Sequence, residues 1–135
     1  MELTCIHHVA YVVEDLDAAL PFFTDRVGLE VKVRENLADD GVEALILGVG
    51  ASAVELIAPT VSDNGVARFL ASRGPGLHHV AFEVPDIVLA MAELAEAGAE
   101  LLDEQPRIGL GGHKVAFIHP RSWLGVLTEL VETHE

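Results

Sequence analysis

One cysteine, Cys5, stands in the whole chain. No internal disulfide can form, so the fold must rest on its core, and a reducing, cytoplasmic setting is expected. Basic residues are also scarce: eight Lys and Arg face 22 Asp and Glu, for a formal net charge of -14. That balance argues against nucleic acid as a partner, because phosphate contacts need clustered cations. An anionic small-molecule ligand would need a local basic patch working against the overall field. No apolar run approaches the roughly 18 residues of a membrane span, and the first residues do not read as a secretory leader. What remains is a 135-residue chain, half hydrophobic and 22% charged. That is the balance of one folded domain with room for a substantial core.

The feature that organises this chain occurs twice. Ile6-His7-His8-Val9-Ala10-Tyr11-Val12-Val13-Glu14-Asp15-Leu16 returns as Leu77-His78-His79-Val80-Ala81-Phe82-Glu83-Val84-Pro85-Asp86-Ile87. The shared pattern is apolar, His, His, Val, Ala, aromatic, then Val, Asp and an aliphatic residue at matching places. Such a match indicates an internal duplication, two copies of one structural unit.

Each copy opens on a strand, since its residues alternate and are rich in Val, Ile and aromatics. Period two puts His8, Ala10 and Val12 on one face and His7, Val9, Tyr11 and Val13 on the other. The bulky second face is expected under a helix. The first, with a histidine among small residues, fits the hollow of a curved sheet. His79, Ala81 and Glu83 split in the same way from His78, Val80, Phe82 and Val84. Asp15 and Asp86 read as helix N-caps, with Gly28 and Gly98 as the stops and Pro21 as a kink. A strand follows each glycine, over 29–33 and 99–102. Two more close each copy, over 42–47 and 53–58, then 114–118 and 126–131. The fold class is α+β: two tandem βαβββ modules forming a curved eight-stranded sheet around a metal site. Module 1 covers about 1–60 and module 2 about 76–135. The linker of about 61–75 carries a short helix near 66–72, capped by Asp63 or Asn64.

The closing strands hold a second shared signal, Val54-Glu55-Leu56-Ile57 and Thr128-Glu129-Leu130-Val131. A glutamate between aliphatics in a core strand must be paired or metal-bound, because an isolated buried charge is very costly. Two copies related by an approximate twofold bring His8, Glu55, His79 and Glu129 to one point. Two imidazoles and two carboxylates suit a divalent metal in an octahedral site with positions open to water or substrate. A lone strand histidine is more often structural than functional, and a lone in-strand glutamate can sit on an exposed face. Their recurrence at equivalent places in both copies reverses those odds. His7 and His78 share faces with bulky residues and read as core or as supports of the ligands. Glu83 has no counterpart in copy one and reads as lining or as a polar neighbour. His113, His119 and the terminal His134 have no repeat partners.

Together these segments resemble the vicinal oxygen chelate (glyoxalase/bleomycin-resistance) superfamily, and within it the methylmalonyl-CoA epimerases. The more specific matches are Pro106–Lys114 with its Gly109–Gly112 stretch, Phe117-Ile118-His119-Pro120, and Gly125-Val126-Leu127-Thr128-Glu129-Leu130. The resemblance spans nearly all of 1–135 as one vicinal-oxygen-chelate domain. It implies a homodimer and a divalent ion (cobalt, manganese, nickel, magnesium or zinc) held by His8, His79 and Glu129, with Glu55 at the fourth family position. The implied substrate is an acyl-CoA, a 2-methylmalonyl thioester whose C2 proton is removed and returned through a metal-stabilised enolate. Glu129 is implied on one side of that enolate. The other acid-base group falls on Glu43 or on Glu55. Lys114, Arg121, Arg68 and Arg73 are the cations available to a coenzyme A tail. Two other readings stand beside this one. A glyoxalase I-like lyase acting on a glutathione hemithioacetal would use a similar His and Glu set. A metal-free, drug-sequestering module of the same fold would not need that set.

Overall fold

The computed structural model describes residues 1–133, so His134 lies outside the described residues. Its strands are β1 Cys5–Val12, β2 Glu30–Leu37, β3 Val42–Val49, β4 Ser52–Pro59, β5 Gly76–Glu83, β6 Arg107–Ile108, β7 Lys114–Ile118 and β8 Thr128–Glu132. The helices are α1 Leu16–Pro21, α2 Gly65–Arg73 and α3 Ile87–Glu96. Strand, helix and three strands therefore occur twice, with α2 between the copies. The strands form one eight-stranded sheet in the order β2-β3-β4-β1-β5-β8-β7-β6. The fold is α+β, as the repeat implied. No helix among the described residues is long and apolar enough to cross a membrane. By contact density the chain forms two compact units, Val9–His78 on the one hand, and Met1–His8 with the chain from His79 onward on the other.

In the unit Val9–His78 the expected alternation is realised. Leu45, Leu47 and Leu56 pack with Leu16 of α1, and Tyr11 and Val13 join them. Burying these side chains on one sheet face is what fixes α1 there. Asp15 caps the helix by accepting from the Asp17 and Ala18 amides. Pro21 has no amide hydrogen to give its preceding turn. The chain relaxes there into a π-helical turn over Phe22–Arg26, closed by Val27 N–H to Phe22 O at 3.1 Å. Gly28, at φ 85°, then releases the chain into β2. Asn64 caps α2 through the Ala67 amide and also donates to the Gly41 carbonyl at 2.9 Å. Gly41 is left-handed at φ 68°, and a Cβ there would meet Val61 at 2.8 Å, so only glycine fits.

In the other unit, α3 lays Ile87, Ala90 and Met91 on Val84, Ile118 and Leu130. Two carboxylates tie down its first turn: Asp86 accepts from the Leu89 amide at 3.1 Å, and Glu132 of β8 accepts from the Ile87 amide at 2.9 Å. Asp86→Ala is expected to cost about 1 kcal/mol, the usual loss for a helix cap, read as a lower urea midpoint at unchanged slope. The strand expected over 99–102 is reduced to a single bridge, Leu101 to Ile118. The reason is local. Asp103 Oδ2 takes the Phe117 amide at 2.7 Å, so a side chain fills the place of a ladder carbonyl. Strand pairing resumes only after Pro106, at the two-residue edge strand β6.

Candidate metal centre

His8 lies in the part of β1 that belongs to the same compact unit as His79, which occupies the equivalent place in β5. Glu129 lies in β8, paired in register with Ala81, and so shares the face of His79. All three are buried, at 5%, 4% and 7% exposure. Their polar atoms converge. His8 Nε2 is 3.3 Å from His79 Nε2, 3.1 Å from Glu129 Oε1, and His79 Nε2 is 3.4 Å from the same oxygen. Glu55, on β4 of the other unit, is likewise buried, at 6% exposure.

Three observations test whether these residues suit a metal ion. The first is spacing. Ligand atoms about 2.1 Å from a shared ion are about 3.0 Å apart at octahedral angles and about 3.4 Å apart at tetrahedral ones. The distances between the two imidazole nitrogens and the carboxylate oxygen fall in that range. The second is satisfaction. Glu129 Oε1 is buried, lies at ion-pair distance from both imidazoles, and has no aligned hydrogen-bond donor assigned to it among the described residues. A buried carboxylate oxygen in that state is costly unless a cation meets it. The third is charge. Burial alone would raise the Glu129 carboxyl, but the close approach of the His79 and His8 imidazoles outweighs it and holds the group well below the usual carboxylate range. The ligand set is therefore presented with its carboxylate ionised. The residues fit a divalent ion.

Phe117 of β7 pairs with Glu129 and stands edge-on to His79, at 5.2 Å between ring centroids and 90° between planes. It walls the site with an apolar ring that lowers the local dielectric and strengthens each charge interaction there. Arg107 also lies over that ring, 5.6 Å from its centroid, and is held by Asp103 at 2.8 Å.

Glu43 is not brought to this group. In β3 it pairs with Ala58, as Leu45 does with Leu56, and Leu45, Leu56 and Ala58 all face α1. Glu43 is thus on the helix-covered face, where Arg34 holds it through Nε at 3.1 Å and Nη2 at 3.3 Å. Arg34 also reaches Asp17 of α1 at 2.7 Å. Ala44, opposite Ile57, is the residue of β3 on the face of Glu55. The same register places Glu35 of β2 opposite Ala44, on the Glu55 face and half-buried. The sequence reading missed it. The signal was present in the alternation of Val33, Glu35 and Leu37, a carboxylate at the lining phase of an otherwise aliphatic series.

His78 packs edge-on to Phe69 of α2 at 5.0 Å, in keeping with a structural role. His7 lies against His8 and His113. Of the cations considered for an anionic tail, Lys114 is 3.6 Å from Glu132, Arg121 is 3.4 Å from Glu100, Arg68 is 2.7 Å from Asp63, and Arg73 covers the Phe69 ring.

With this geometry in hand, comparison with known proteins is specific. Residues 7–117 match the family model of the glyoxalase/bleomycin resistance protein/dioxygenase superfamily. The mitochondrial methylmalonyl-CoA epimerase of Bos taurus is 37% identical over 126 residues, 93% of this chain and 72% of that protein. The ethylmalonyl-CoA/methylmalonyl-CoA epimerase of Cereibacter sphaeroides is 36% identical over 127 residues, 93% of this chain and 95% of that one. Among solved structures, a variant of the Streptomyces coelicolor methylmalonyl-CoA epimerase in complex with 2-nitronate-propionyl-CoA is similar with a TM-score of 0.96. It is 36% identical, over 99% of this chain and 100% of that chain.

Proposed function

Since the chain belongs to the glyoxalase/bleomycin resistance protein/dioxygenase superfamily, and within it to the methylmalonyl-CoA epimerases, we propose that it interconverts (2R)- and (2S)-methylmalonyl-CoA. The observation that carries this reading is the buried convergence of His8, His79 and Glu129; Glu55 is the fourth ligand that the repeat implies. These residues would hold a divalent ion, which when bound would supply Lewis-acid polarisation of the carbonyl groups flanking C2.

The chain's own carboxyl groups move the proton. C2 lies between a thioester carbonyl and a carboxylate, so its C–H bond is the one that ionises. One carboxylate takes that proton, and the bonding electron pair spreads into the enolate. A carboxylic acid on the opposite side then gives a proton to C2 and closes a C–H bond of inverted configuration. The two groups end the turnover with exchanged protonation states, and no co-reactant is consumed. Glu129 serves one side as ligand and proton group. Glu35 is the second group in this reading, because β-register puts it on the Glu55 face while Glu43 faces α1. Phe117, edge-on to His79, keeps water from the apolar side of the ligands.

The expected results separate the glutamates. Glu35→Gln should lower kcat by about 10²- to 10⁴-fold, the range for losing a proton-transfer group, with divalent-metal affinity retained. Glu43→Gln should leave kcat within about twofold and cost at most about 1 kcal/mol of stability, as for a partly exposed ion pair. A large rate loss in Glu43→Gln with none in Glu35→Gln would reverse the assignment. The reaction itself is tested by following solvent deuterium into C2 of methylmalonyl-CoA, with metal-stripped and metal-restored protein. Exchange restored by the ion supports the epimerase. No exchange, with turnover of the hemithioacetal of glutathione, would instead make the chain a glyoxalase.

A further inference from the structure

Neighbouring residues of a strand ordinarily send their side chains to opposite faces. At the start of β1 two neighbours meet. His7 Nδ1 and His8 Nδ1 are 2.8 Å apart, and the rings are nearly perpendicular, at 76° with 5.0 Å between centroids. The remaining nitrogen of His8, Nε2, is the atom directed at His79 Nε2 and Glu129 Oε1. His7 is also met edge-on by His113, 5.6 Å away at 79°. His113 follows two left-handed glycines, Gly111 at φ 76° and Gly112 at φ 79°. The histidine that supports a ligand is thus itself supported by the Gly-rich loop.

Valence fixes where the protons sit. A neutral imidazole has one N–H and one lone pair. If Nε2 of His8 offers its lone pair to an ion, the proton of His8 is on Nδ1. A contact of 2.8 Å between two Nδ1 atoms needs one donor and one acceptor, so Nδ1 of His7 accepts and the proton of His7 is on Nε2. Ligating histidines usually donate this second hydrogen to a carboxylate, a backbone carbonyl or water. Here an imidazole stands in that place. We propose that His7 is a positioning residue of the metal centre, accepting the His8 Nδ1–H and so fixing the tautomer and ring orientation that aim His8 Nε2 at the ion. The inference rests on the metal-centre reading above and adds to it a residue that touches neither ion nor substrate.

The test uses the full chain, stripped of metal, as wild type, His7→Asn and His7→Phe. Asparagine can place Oδ1 near the position of the imidazole Nδ1 and keeps an acceptor. Phenylalanine keeps a ring against His113 and removes the acceptor. Zinc and cobalt titrations by calorimetry should show affinity falling about 10- to 100-fold in His7→Phe, the range for losing such a partner, and returning to within about threefold of wild type in His7→Asn. Two-bond nitrogen–proton correlation spectra of the zinc-loaded wild type should show His8 protonated at Nδ1 and His7 at Nε2. This measurement decides the matter even if a variant does not fold. The proposal is overturned if His7→Phe binds zinc as tightly as wild type, if His7→Asn is as weak as His7→Phe, or if His8 carries its proton on Nε2. Wild type that takes up no divalent ion in the same titration would instead remove the metal-centre reading, and His7's role with it.

Discussion

His8→Ala and His79→Ala are each expected to abolish stoichiometric divalent-metal binding. Each removes one of two imidazoles whose Nε2 atoms lie 3.3 Å apart and within 3.4 Å of Glu129 Oε1. Losing an outer partner of a ligand costs about 10- to 100-fold in affinity, and losing the ligand itself must exceed that. The readout is unfolding temperature with and without zinc. An ion at 100 times its dissociation constant stabilises the folded state by about 2.7 kcal/mol. For a chain of this size that is a rise of about 10 °C. Wild type should show the rise and lose it to a chelator. Both alanine variants should unfold at the same temperature whether or not zinc is present. A zinc-dependent rise kept in either variant would exclude that histidine as a ligand.

Glu129→Gln is expected to have the largest effect on turnover, a loss of about 10³-fold or more. The substitution removes an anionic ligand and a proton-transfer group together, and the latter alone is worth about 10²- to 10⁴-fold. The volume of the side chain is unchanged, so the loss cannot be assigned to a cavity. A second readout is the acid limb of stability in the metal-stripped protein. The folded carboxyl of Glu129 is held below its ordinary range by the two imidazoles, so the unfolded chain takes up its proton first as pH falls. Stability from this group is fully present above the unfolded value of about 4.3 and is lost as pH drops toward the depressed folded one. Wild type should therefore lose urea resistance between pH 5 and pH 4 more steeply than Glu129→Gln. Equal slopes would show that the carboxylate is not paired in the metal-stripped state. Turnover in Glu129→Gln near that of wild type would remove Glu129 from the site.

The duplication, and four candidate ligands within it, were legible in the sequence alone. Two matched His-His strands and two matched in-strand glutamates single out His8, Glu55, His79 and Glu129, and all four are buried. They are legible because a strand's side-chain period is two, so an apolar series fixes which residues face together. The caps Asp15 and Asp86, the stop at Gly28 and the break at Pro21 follow from local backbone chemistry, and they lie where that chemistry puts them.

Three features were decided only by the tertiary structure. Glu43 and Glu35 are both carboxylates in strands of mixed character. Which one faces Glu55 depends on how β2 and β3 pair across the turn at Gly41, and a slip of one residue inverts every face. The edge of the second copy was lost because Asp103, a side chain, takes a backbone hydrogen bond that a strand pattern reserves for a carbonyl. The contact of His7 with His8 runs against strand alternation, and the ring of His113, distant in sequence, also packs against His7. In each case periodicity could say which way a side chain starts. Only the packing of chain segments far apart in sequence decided where its polar atom ends.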